Sequence, residues 1–111
     1  MAGHGILSLT IKDKAVLYAA YMPFILHGGL FIPINKHYQV GSAIFMLLKL
    51  MDETEKFPVA GKVVWVTPQR AQGARVRGIG VQFSDSEAAV KKRIENILAD
   101  QLNSHLITNT L

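Results

Sequence analysis

Four histidines, His4, His27, His37 and His105, are the first residues to test for metal or acid–base chemistry. None stands at the paired spacing that sets two imidazoles on one helix face or one ribbon, so no metal site is expected. The carboxylates Asp52, Glu53 and Glu55 cluster in a polar stretch. It offers no apolar pocket to raise a pKa for acid catalysis. The serines at 8, 42, 84, 86 and 104 lack a nucleophile-elbow context. With no cysteine in the chain, thiolate metal sites, cysteine nucleophiles and disulfides are excluded. No catalytic constellation is visible, and neither an enzyme nor a bound cofactor is expected.

Binding is the remaining chemistry. The stretch Gly73 to Gly80 reads Gly-Ala-Arg-Val-Arg-Gly-Ile-Gly, but a phosphate cradle places its glycines between a strand and a helix N-terminus. Here they run into Val81, Gln82 and Phe83, a strand. Gly78 and Gly80 share one face of it, which would let another element, such as the last helix, pack close. Tyr18 to Phe24 reads Tyr-Ala-Ala-Tyr-Met-Pro-Phe. An aromatic run against a proline break suits either the core or a wet protein interface. Tyr18, Tyr21, Met22, Pro23 and Phe24 are the interface candidates, with Tyr21 and Met22 the best for an exposed anchor.

The elements that must position these residues are mostly strands. Gly5 to Lys12, Ala43 to Met51, Val59 to Thr67 and Gly78 to Phe83 carry strand patterns. Phe24–Leu26 and Leu30–Ile34, separated by His27, Gly28 and Gly29, read as a hairpin. Lys14 to Tyr21 fits two turns of helix before Pro23, or a crossover laid on the sheet. Polar loops fall at Asp52–Lys56 and Gln69–Gly73. Alternation puts Val63 and Trp65 on one face and Val64 and Val66 on the other; one face is core, and the other lies under the last helix or is an exposed patch.

After residue 83 the period changes. Ser84 with Glu87 three residues on gives a capping-box pattern. Val90, Ile94, Ile97, Leu98 and Leu102 then line one helical face. The expected architecture is all-β: a small antiparallel β-barrel with a C-terminal amphipathic α-helix. It forms one domain over 1–111, with the barrel at about 5–83, the helix at about 85–103 and a fraying tail at 104–111.

The 111 residues suit one domain, and half are apolar against 18% charged, far from a disordered composition. The +4 charge is spread out, densest at Arg70, Arg75, Arg77 and at Lys91, Lys92, Arg93. Nucleic acid is not an expected partner, although a small basic barrel gripping a single strand through Trp65 or a phenylalanine and through Arg75 and Arg77 is the alternative reading. The start at Met1 has no basic leader and apolar core, and the longest apolar run, Ile44 to Leu48, is too short to span a bilayer. A cytoplasmic location without membrane insertion is expected.

The block Phe24-Ile25-Leu26-His27-Gly28-Gly29-Leu30-Phe31-Ile32, with Gly61-Lys62-Val63-Val64-Trp65 and Gly78-Ile79-Gly80-Val81-Gln82-Phe83 after it, resembles the PilZ domain over nearly the whole chain. Ser8 to Asp13, Tyr18 to Phe24 and Pro58 to Val63 are similar to the stand-alone PilZ proteins of type IV pilus assembly. Typical PilZ domains bind cyclic di-GMP through Arg-x-x-x-Arg ahead of the barrel and Asp/Asn-x-Ser-x-x-Gly within it. No arginine precedes Arg70 here. Aligned on Gly29, the second motif has Phe24 in place of its acid or amide and Leu26 in place of its serine. The phosphate clamp and the base-reading groups are both missing. The resemblance therefore implies protein partners instead of the nucleotide: the pilus assembly ATPase and a regulator with degenerate GGDEF and EAL domains.

Overall fold

Asp13 starts the first helix from outside it, its carboxylate accepting from the Ala15 N–H at 2.7 Å and the Val16 N–H at 3.4 Å. That N-cap settles the ambiguous segment as helix. In the computed structural model, which describes residues 6–68 and 77–99, the elements run β1 (Ile6–Ile11), α1 (Lys14–Ala20), β2 (Gly29–Pro33), β3 (Ala43–Leu50), β4 (Phe57–Val66), β5 (Gly78–Phe83), a 3₁₀ turn (Asp85–Glu87) and α2 (Ala88–Ile97). The expected turn at 69–73, Arg70, Arg75, Leu102 and the tail from 104 lie outside the described residues.

The five strands form one mixed, curled half-barrel sheet in the order β1-β3-β4-β5-β2. The fully antiparallel expectation is corrected at β1, which pairs parallel to β3, Ile6 opposite Phe45 through Ile11 opposite Leu50. A parallel neighbour needs a long crossover, and the stretch holding α1 and β2 supplies it. Alternation along a strand carries no sign of direction, so the sequence could not show this.

The expected hairpin is corrected too. Residues 22–28 form successive turns, with the Ile25 N–H donating to Met22 O and the Gly28 N–H to Ile25 O. His27 at φ 69° and Gly28 at φ 78° curl the chain through the left-handed region. Only Gly29–Pro33 is a strand; it pairs with β5, while the bridge across the turns joins Leu30 to Tyr21.

A β-bulge breaks the alternation in β4. Val63 pairs with Val81 and Trp65 with Gly80, which leaves Val64 as the extra residue. Val63 and Trp65 therefore face opposite sides, against expectation: Val63 is fully buried and Trp65 is 44% exposed.

The core fills the concave side. Leu30, Ile32, Met46, Leu48, Val59, Val63, Ile79 and Val81 from the sheet meet Leu17 of α1 and Val90, Ile94 and Leu98 beyond them. The capping box does not form. Ser84 makes no side-chain cap, and the Glu87 carboxylate accepts from the Ala60 N–H at 2.9 Å while the Ser84 N–H donates to Ala60 O. The helix entry is thus stitched to the middle of β4, and the first turn is 3₁₀. A salt bridge from Arg93 to Glu53 ties α2 to the β3–β4 loop as well.

Candidate functional site

The convex side of β2, β5 and β4 carries the most unusual surface. Phe31 and Trp65 flank Gly80 from the neighbouring strands, and their rings meet at 6.1 Å and 54°. A Cβ on Gly80 would stand 3.3 Å from both Met22 Cε and Trp65 Cβ. Glycine there leaves room for Met22 to lie on the strand beside the indole. The close approach foreseen at Gly80 is real, but the element that uses it is the loop before β2 and not the last helix. A Cβ on Gly78 would fall 2.4 Å from the Ile32 carbonyl oxygen and 2.6 Å from the Phe31 ring.

The loop 22–28 stands over this floor on backbone stakes. The Met22 N–H donates to Gly29 O at 2.9 Å, the Phe83 N–H to Gly28 O at 2.9 Å, and Gln82 Nε2 to Leu26 O at 2.9 Å. These bonds satisfy main-chain groups and leave the side chains to point away. Phe24 is 81% exposed and Leu26 72% exposed. Two large apolar side chains on a pinned loop, beside a half-exposed tryptophan, make an apolar projection of the kind that marks a docking surface.

The candidates read from the sequence divide here. Met22 is half-buried, Pro23 and Phe24 are exposed, and Tyr18 looks outward from α1. Tyr21 is the correction: it is buried, so it cannot be an exposed anchor. Its hydroxyl donates to Glu95 Oε2 at 2.6 Å, and the same oxygen accepts from Lys91 Nζ at 2.9 Å. Burial, reinforced by the carboxylate it donates to, holds the Tyr21 phenol well above its ordinary pKa. The tyrosine and then the lysine hold Glu95 below the usual carboxylate range. Sequence reasoning missed Leu26 as an exposed anchor and Glu95 as the partner of Tyr21. An outward Trp65 would have required foreseeing the bulge.

At the positions of the nucleotide motif, Phe24 and Leu26 present hydrocarbon to solvent. Gly29 is retained for a steric reason, since a Cβ there would fall 2.4 Å from the Val81 carbonyl oxygen. Exposed Arg77 immediately precedes β5, and its carbonyl accepts from the Ile34 N–H. Among the described residues no three of His, Cys, Asp or Glu cluster as a metal site would require. No helix among them is long and apolar enough to cross a membrane.

A curled sheet with a core-bound helix and an outward apolar loop defines a small binding module. The PilZ domain model matches residues 6–100, spanning all five strands and both helices. The chain belongs to the PilZ domain family, whose members are generally non-catalytic binding domains with adaptor or effector roles related to cyclic di-GMP. No curated protein matches it.

Proposed function

We propose that this PilZ domain is a cytoplasmic, non-catalytic adaptor of type IV pilus assembly and twitching motility. It binds the pilus assembly ATPase and a degenerate GGDEF-EAL regulator, and takes up no cyclic di-GMP itself. One observation carries this reading: Phe24 and Leu26 are exposed hydrocarbon at the positions where a nucleotide-binding PilZ domain keeps its acid or amide and its serine. Phosphates and guanine edges need donors and acceptors, which these side chains lack. A protein partner that buries them gains about 1.5–3 kcal/mol from each.

The docking surface is the 22–28 loop with Met22, Phe24 and Leu26, extended by Trp65 and bordered by Tyr18. Two measurements test it. Calorimetric titration of the purified chain with cyclic di-GMP is expected to show no binding; micromolar affinity would overturn the reading. Phe24→Ala is expected to weaken capture of the assembly ATPase by about 2 kcal/mol, close to thirtyfold, while the fold stays intact.

Lys62 shares the outer face with half-exposed Trp65, which keeps a single-stranded nucleic acid as the second reading. A labelled oligonucleotide separates the two, since phosphate binding must weaken steeply with salt.

A further inference from the structure

Tyr21 belongs to three structures at once. Its N–H donates to Leu17 O at 2.9 Å and closes α1, its backbone bridges Leu30 of β2, and its ring is buried immediately before Met22. The hydroxyl reaches a fourth element, α2, at Glu95. At the far end of the loop, a Cβ on Gly28 would lie 3.1 Å from the Tyr21 hydroxyl and 3.5 Å from Lys91 Cδ. Both ends of the 22–28 turn sequence therefore rest against one bridge, in which a single Glu95 oxygen takes donors from Tyr21 and Lys91.

We propose that Tyr21, Glu95 and Lys91 form a latch through which α2 holds the 22–28 loop in its docking posture, with Tyr21 a positioning residue that never touches the partner. This rests on the loop being the partner surface and adds how that surface is controlled. An apolar loop that must be ordered on binding loses affinity to the entropy of ordering, and holding it beforehand removes that loss. The latch also makes the loop responsive to α2: whatever loosens the helix near Lys91 and Glu95 takes away the support at Tyr21 and Gly28 and leaves the loop on its bonds to β2 and β5 alone.

The test uses the full chain and two direct reports on the loop. One is amide exchange at Ile25 and Gly28, whose N–H groups close the turns. The other is emission from Trp65, the single tryptophan, which shares the floor over Gly80 with Met22. Tyr21→Phe keeps the buried ring and deletes the hydroxyl. It is expected to speed exchange at both amides about tenfold, shift Trp65 emission, and weaken ATPase binding by a similar factor. Glu95→Ala is expected to do the same from a half-exposed helix position, and it carries the test if Tyr21→Phe fails to fold. Glu95→Gln still offers the phenol an acceptor and should fall between it and the wild type.

Phe24→Ala serves as the contact control, weakening binding with exchange unchanged. If Phe24→Ala weakens binding but Tyr21→Phe and Glu95→Ala leave exchange, emission and binding at wild-type values, the latch is wrong. If those two variants change exchange and emission while no variant alters ATPase binding, the latch stands and the docking reading fails.

Discussion

A phenol donating to a carboxylate that also carries a lysine gives the molecule two pH limits. Glu95 has its folded pKa depressed, so its contribution is present above the ordinary carboxylate value of about 4.3 and is lost as pH falls through the folded value. Tyr21 has its folded pKa raised. Its contribution is complete below about pH 10 and is lost as pH rises further, because the unfolded chain then releases a proton that the folded one keeps. The stability difference between wild type and Tyr21→Phe should thus be constant from about pH 6 to 9 and shrink on both sides. Urea unfolding of the two proteins at pH 3.5, 7 and 10.5 is the measurement. Little of this was legible in the sequence. Pro23 and the neighbouring aromatics marked the segment as special, but the partner of Tyr21 lies 74 residues away, and local patterning cannot pair such residues.

At the scale of elements, periodicity gave the ends of β5 to the residue and those of β1 and β3 to within one, and it placed the apolar stripe of α2. Val90, Ile94 and Leu98 are buried in the core as their spacing requires. Ile94 has no exposed surface, so Ile94→Ala is expected to cost about 2–5 kcal/mol by chemical denaturation. Strand direction, the bulge at Val64 and the turns at 22–28 were not legible, since each depends on which neighbour the backbone finds. Ser84 and Glu87 misled for a related reason: the pattern fits a capping box, yet Ala60 offers Glu87 a part-buried N–H that competes for its carboxylate. Two glycines of the site separate backbone from side-chain crowding. Gly29→Ala drives a methyl to 2.4 Å from a β5 carbonyl and should cost about 1–3 kcal/mol, whereas Gly80→Ala meets the flexible end of Met22 and the less yielding Trp65 Cβ, both at 3.3 Å, and should cost less. Melting both variants in parallel checks the order.

For the whole molecule, the half-barrel is open along one side, with β1 and β2 as its two edges. α1 lies across the opening, where Leu9, Val16, Ala20, Phe31 and Pro33 line an apolar seam. The seam joins the proposed docking surface through Phe31, so the same helix that bridges the sheet edges leads at its end into Tyr21 and the loop. Which apolar residues would be inside was largely readable from composition and period. Which would be outside was not, because Trp65 and Leu26 owe their exposure to a bulge and to a staked turn.

The parallel pairing of β1 also sets an order of events in time. β3, β4 and β5 are consecutive antiparallel neighbours, so they can zip together through short loop closures. β1 must wait for β3, whose register begins at the pair Ile6 and Phe45, and closing that larger loop costs more entropy before any contact repays it. During synthesis the first strand therefore emerges without a partner and stays unpaired until the third has left the ribosome. In stopped-flow refolding, Leu9→Ala should leave the folding rate nearly unchanged and accelerate unfolding, while Val63→Ala should slow folding.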